Sequence, residues 1–265
     1  MSTRIDIVRL REMKRTGEKI VSLTAYDASF ARLLAECGVE IVLVGDSLGT
    51  VLHGARNTLG VTLDDVVYHT RITSRAAGGA LVLADMPFMS YATPEQAFAS
   101  AARLVGEAGA HMVKLEGGAW LCTTVERLAE RGIPVCGHLG LTPQWVRKFG
   151  GHRVQGREPE AADRIVEDAK ALEAAGAELL VLECVPASLG ERVSRAVSMP
   201  VIGIGAGPGC DGQVLVLYDM IGVSERPTKM AKDFLEGTGD IRAAVRAYVA
   251  AVKDGSFPGP EHGFE

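Results

Sequence analysis

Five apolar runs in this sequence end on groups able to do chemistry. Asp46-Ser47 follows IVLVG, Asp85 closes LVLAD, and Lys114 and Glu116 alternate with apolar residues in MVKLE. His138 stands in PVCGH, and Glu183 closes LLVLE. Two or three carboxylates without a matching Cys/His cluster suit a hard, oxygen-seeking cation, magnesium rather than zinc. Magnesium takes one or two protein carboxylates and keeps positions open for an oxygen-rich ligand such as a 2-oxo acid. Such a cation stabilises the enolate formed when a proton leaves the adjacent carbon. A separate carboxylate must then act as base, and Glu183, in the most apolar setting, is the candidate. Lys114 would offset the charge of the acid or of its developing oxyanion.

Each residue also has a plainer reading. Asp27 immediately precedes ASFARLL and reads as a helix cap. Asp85 precedes Met-Pro-Phe and could serve a turn. Lys114 and Glu116 share one strand face and could form a structural salt bridge, while His138 alone could be a core histidine. Glu183 is harder to dismiss, because an unpaired carboxylate among apolar residues is costly. GIGAGPG, at 203–209, lacks the third glycine of the spaced dinucleotide fingerprint, so close packing of strand and loop is its reading. Arg147, Lys148, His152, Arg153 and Arg157 are either a lid attracting an anionic tail or a solvated loop.

The elements that must position these groups recur as a unit: an apolar strand, a loop, then an Ala-rich amphipathic helix. Strands are expected in IVSLTAYD, EIVLVGDS, ALVLADMP, HMVKLEGG, IPVCGHLG, ELLVLECV and PVIGIGAG. GQVLVLYDMIG is the less clear eighth. Gly38, Gly109, Gly132 and Gly176 stand where left-handed helix terminators would. A helix over about Ile5 to Lys14 precedes the first strand. Continuous apolar strands alternating with helices predict a parallel sheet covered on its outside. Eight units point to a (β/α)₈ barrel, with a doubly wound open sheet as the alternative. In a parallel barrel all five charged strand ends open on one face. No linker composition divides the chain, so one domain over 1–265 is expected, and TPQWVRKFGGHRVQGREPE (142–160) reads as a rim insertion.

Composition narrows the function classes. The 265 residues carry a formal charge of -5, which argues against nucleic acid or an anionic membrane as partner. No apolar run approaches the roughly 20 residues of a membrane span. The charged, periodic start is unlike a secretory signal. Five cysteines without ligand spacing fit reduced thiols in a cytoplasmic protein.

TAYDASFARLLAECGVEIVLVGDSLG, YHTR, ADMPFMSYATPEQA, MVKLEGG, PVCGHLGLTPQ, LLVLECVP and PVIGIGAGPGCDGQVLV closely resemble the ketopantoate hydroxymethyltransferases, in order and over nearly the whole chain. The resemblance implies a (β/α)₈ barrel of the phosphoenolpyruvate/pyruvate type and a cytoplasmic homo-oligomer, typically a decamer. It implies transfer of a one-carbon unit from 5,10-methylenetetrahydrofolate to 3-methyl-2-oxobutanoate, giving 2-dehydropantoate for coenzyme A synthesis. It assigns Asp46 and Asp85 to magnesium (Mg2+), with Glu116 joining directly or through water. Ser47 and Lys114 contact the oxo acid, Glu183 accepts the proton, and His138 lies in the substrate pocket. The tail FPGPEHGFE departs from the family by carrying Gly263 where Ser is expected. Two rivals remain at this point: a magnesium-dependent lyase or mutase of the phosphoenolpyruvate mutase or isocitrate lyase type, and a non-catalytic binding protein. The second would have no need of a base such as Glu183.

Overall fold

The computed structural model describes residues 4–224 and 228–265. Eight short strands form where the apolar runs were found: β1 Ile20–Thr24, β2 Ile41–Val44, β3 Leu81–Asp85, β4 Met112–Glu116, β5 Val135–Gly140, β6 Leu179–Glu183, β7 Val201–Ile204 and β8 Gly212–Leu215. Each pairs in parallel with its sequence neighbours, and β8 pairs with β1, so the sheet closes into a barrel. The open-sheet alternative is thereby excluded. Because side chains alternate across a strand, each strand feeds two cores. Val42, Val82, Val113 and Leu180 face the surrounding helices. Ile41, Leu81, Leu83, Met112, Cys136, Leu179 and Val181 fill the interior.

The first helix, Ile7–Thr16, is capped by Asp6 and ended by Gly17. It lies two residues later than the sequence suggested. Its Leu10 and Met13 join the interior cluster and so seal the end where the strands begin. Asp27 does cap its helix, accepting from the N–H groups of Ser29 and Phe30. Gly38, Gly109, Gly132 and Gly176 all take positive φ, as helix terminators require. GIGAGPG is a packing loop: a side chain at Gly207 or Gly209 would run into Ala187 or Glu191. All five cysteines are unpaired.

Three expectations need correction. All strands but β5 stop earlier than the segments expected for them, so Asp46 and Ser47 lie beyond the end of β2 while Asp85, Lys114, Glu116, His138 and Glu183 stay within strands. The Ala-rich helix expected after the third strand is α-helical only over Pro94–Ala101 and then widens into a π-helical turn, Ala102–Glu107. The segment 142–160 is not a plain rim loop. It opens with a turn at Pro143–Trp145 and a short helix, Val146–Phe149, and its end belongs to the long helix Pro159–Ala174. The C-terminal tail lies beside this segment, where Glu265 O accepts from Arg157 Nε and Phe264 O accepts from Ala187 N.

Candidate active site

Strand register brings the chemistry together. Asp85 pairs with Lys114 across β3 and β4, Glu116 with His138 across β4 and β5, and Gly140 with Glu183 across β5 and β6. All these positions open at the C-terminal mouth of the barrel. Asp46 arrives just after β2, and its N–H donates to Asp85 Oδ2 at 2.9 Å. Lys114 Nζ lies 3.0 Å from Asp85 Oδ1, so the lysine pairs across the sheet rather than with Glu116 on its own strand. The hydroxyl of Ser47, at the start of the short helix Leu48–Val51, is 2.8 Å from that of Tyr26. The structure therefore gathers Asp46, Asp85, Lys114, Glu116, His138 and Glu183 at one mouth, with Ser47 beside Asp46.

Glu183 is placed by its backbone. Gly140 (φ 85°) approaches so closely that a Cβ there would lie 2.2 Å from Glu183 O. Cys184, next in sequence, takes the left-handed conformation (φ 51°), which is strained for a residue with a side chain. Met89, in the loop after β3, is the other non-glycine with positive φ among the described residues.

Charge is unbalanced at this mouth. Asp46, Asp85, Glu116 and Lys114 are all buried, three carboxylates against one ammonium. Burial and then the charges of Asp85 and Glu116 push the Asp46 carboxyl well up. Burial, only partly offset by Lys114 and the Gln144 N–H, pushes Glu116 up to about 8. Burial also disfavours the Lys114 ammonium, but Asp85, Glu116 and Asp46 outweigh it and raise the pKa. His138 is shifted down, by burial and then by Lys114, so its ring is neutral. Lys114 Nζ, at 3.1 Å, donates to His138 Nδ1. The ring proton must then sit on Nε2, which lies 3.3 Å from Glu183 Oε2.

These residues fit a hard divalent cation. Glu116 Oε1 is buried without a hydrogen-bond partner, and Asp85 Oδ1 is buried with only the Lys114 ammonium against it; buried acceptors left short in this way are rare unless something else satisfies them. Among the described residues no three His, Cys, Asp or Glu side chains form a complete protein cage. Magnesium keeps several waters and takes only one or two protein carboxylates, which Asp46 and Asp85 could supply.

Sequence reasoning missed Gln144 and Tyr91. Gln144 is buried at the start of the 142–160 segment. Its Nε2 donates to Asp46 Oδ2 and Met86 O, both at 3.0 Å, and its main-chain N–H donates to Glu116 Oε2 at 3.0 Å. Tyr91 Oη donates to Gln144 Oε1 at 2.6 Å. The only available signal was the position of Gln144 shortly after β5, within HLGLTPQ. Farther along, Gln155 N donates to Cys184 O at 2.9 Å, so the segment is pinned at both sides of the mouth. Arg147, Lys148, His152 and Arg153 lie between those pins, and Arg157 reaches the tail.

The sequence model of the ketopantoate hydroxymethyltransferase family matches residues 4–260. A 3-methyl-2-oxobutanoate hydroxymethyltransferase from Erwinia tasmaniensis is 62% identical over 257 residues, covering 97% of each chain. One from Alteromonas mediterranea is 57% identical over 263 residues and covers 99% of each. The chain belongs to the ketopantoate hydroxymethyltransferase family. It is thus an enzyme, and the binding-protein reading falls away. The hydroxymethyltransferase barrel also superposes on 2,3-dimethylmalate lyase, a member of the phosphoenolpyruvate mutase/isocitrate lyase superfamily. The TM-score is 0.57 at 16% identity, over 96% of this chain and 89% of the other. Phosphonopyruvate hydrolase, solved with oxalate and Mg2+, gives a TM-score of 0.61 at 12% identity, over 97% and 92%. That likeness concerns the fold. The sequence match sets the chain with the hydroxymethyltransferases rather than with the mutases and lyases.

Proposed function

We propose that the enzyme transfers a hydroxymethyl group from 5,10-methylenetetrahydrofolate to 3-methyl-2-oxobutanoate, giving 2-dehydropantoate, with Glu183 as the base. The observation that carries this reading is the separation of roles at the mouth. Asp46, Asp85 and Glu116 form a buried acidic group, while Glu183 stands apart from it, across the neutral ring of His138. Asp46 and Asp85 would hold Mg2+, with Glu116 reached through water, and the bound ion would supply positive charge for the carboxylate and keto oxygens of the oxo acid. Lys114 counters the charge developing on the keto oxygen, and the Ser47 hydroxyl holds the acid's carboxylate. His138 Nε2–H faces Glu183 Oε2 and leaves Oε1 to take the proton from C3 of the oxo acid.

The product constrains the order of steps. C3 becomes quaternary once the new carbon is attached, so a carbon–folate adduct there could not eliminate to an alkene. Water therefore adds first to the methylene carbon of the folate iminium. The adduct releases the proton that was taken up when the folate ring opened to the iminium. Its hydroxyl proton passes to nitrogen and the C–N bond breaks, giving tetrahydrofolate and formaldehyde. C3 attacks the formaldehyde carbon, and the resulting alkoxide takes back the proton held by Glu183. The segment between Gln144 and Gln155 would confine the aldehyde. Trapping a competent covalent substrate–folate adduct would count against this order.

The same reading takes the 265 residues as one barrel domain working in the cytoplasm as a homo-oligomer, a decamer by family resemblance. No helix among the described residues is long and apolar enough to cross a membrane. Proton NMR of 3-methyl-2-oxobutanoate in deuterated buffer with Mg2+ tests the base. Wild type should exchange the C3 proton and Glu183→Gln should not. Equal exchange in the variant would move the base elsewhere, with His138 next in line.

A further inference from the structure

We infer that Gln144 is a positioning residue of the cation site: its side-chain amide fixes Asp46, and its main chain fixes Glu116. This rests on reading Asp46 and Asp85 as the cation's ligands. A carboxylate has two oxygens, and a site is ordered only when something decides which of them faces the ion. Here one oxygen of each acid is committed to Gln144, namely Asp46 Oδ2 and Glu116 Oε2. Glu116 Oε1 is left buried and unpartnered.

The amide orientation is itself determined. Nε2 meets two acceptors, Asp46 Oδ2 and Met86 O, and Oε1 meets the Tyr91 hydroxyl. Turning the amide over would set oxygen against oxygen at both acceptors. Tyr91 Oη in turn receives the Glu116 N–H at 3.3 Å, so one connected network joins β2, β3, β4 and the segment after β5. A glutamine suits the position because it donates without charge. A glutamate would face Asp46 with like charge, and an apolar residue would leave Asp46 and Met86 O without their donor.

The test measures cation binding directly, with Mn2+ as probe and its free-ion electron paramagnetic resonance signal as readout, in the absence of substrates. Gln144→Met keeps length and volume but removes the donors and the acceptor. It should weaken Mn2+ binding by about 10- to 100-fold, the range for losing a group that orients a metal ligand. Activity should largely recover at saturating metal, a response that a loss of folding would not give. Tyr91→Phe removes only the hydroxyl that orients the amide and should weaken binding in the same direction, by about fivefold, as for one hydrogen bond. Unchanged affinity in folded Gln144→Met overturns the inference. Should that variant not fold, unchanged affinity in Tyr91→Phe overturns it instead. Asp85→Asn separates the two levels. Loss of binding there with no change in Gln144→Met removes the role of Gln144 alone, whereas a wild type that binds no Mn2+ removes the cation reading and this inference with it.

Discussion

The two ends of the barrel interior are built on one backbone pattern and differ in what fills it. At the end where the strands begin, Ile20, Ile41, Leu81, Met112 and Leu179 pack under Leu10 and Met13. Charges there stay at the margin and are matched. Lys14 Nζ meets Asp211 Oδ2 at 2.9 Å and donates to two main-chain carbonyls. Lys253 Nζ meets Glu40 at 2.7 Å and Glu18 at 3.2 Å. At the other end the inward positions are Asp85, Lys114, Glu116, His138 and Glu183, and the buried acids outnumber the buried base. Matched charge is what a structural ion pair requires; a buried excess of one sign must find a counter-ion or take up protons. That buried excess marks the mouth as the candidate functional end, and the sealed floor is the support that holds its strands in register.

The comparison can be broken most directly at Asp85. Asp85→Asn removes both a proposed ligand and the partner of Lys114, and activity should fall by about a thousandfold, as when preorganised charge is lost from an active site. Steady-state rates at saturating Mg2+ check this, and activity within tenfold of wild type would deny the mouth its special status. Met13→Ala probes the floor. It should cost about 3 kcal/mol of stability through the cavity it leaves, read by chemical denaturation, with kcat per folded molecule unchanged. A drop in kcat at equal folded fraction would show that the two ends are not separable.

A pH series sharpens the same contrast. Glu116 is pushed up to about 8 and Asp46 is also raised, so the folded, metal-free chain holds protons there that the unfolded chain has released. Metal-free stability should therefore decline as pH climbs from about 5 to about 8, and Mg2+ should flatten the decline. At the floor Glu18 is shifted the other way: burial opposes the charged form, but Lys253 and Arg9 outweigh it. Its contribution is present above the unfolded carboxylate pKa and is lost as pH falls through the folded one. Melting temperatures with chelator and with Mg2+ measure both, and a flat metal-free profile would contradict the buried charge excess. The smallest effect is expected for Glu18→Gln, because Glu18 is itself 39% exposed, with partners Arg9 and Lys253 at 37% and 27%: less than about 1 kcal/mol and no change in activity. A larger loss in a melting experiment would mean that the floor depends on its ion pairs.

Much of this was legible in the sequence because strand alternation and helix termination are local rules. Asp46, Asp85, Lys114, Glu116 and Glu183 stood out as charged groups at the ends of apolar runs, and Gly38 or Gly176 marked a helix end without reference to the rest of the chain. The partner of Lys114 was not legible. The sequence reading offered Glu116, two residues away on the same strand, and only the β3–β4 register brings Asp85 to Lys114 instead. Gln144 was hidden for a similar reason: a polar residue in a polar segment gives no sign that it will be buried.

The sequence by itself determined the alternation of strand and helix, the apolar floor and the identities of the charged groups, since these follow from side-chain type and a period of two or 3.6 residues. Only the tertiary structure decided which oxygen faces which proton. Gln144 meets Asp46 across 98 residues of chain, and His138 comes to lie between Lys114 and Glu183 because three neighbouring strands close in one register. Such contacts depend on barrel closure, which brings together groups that no local rule relates.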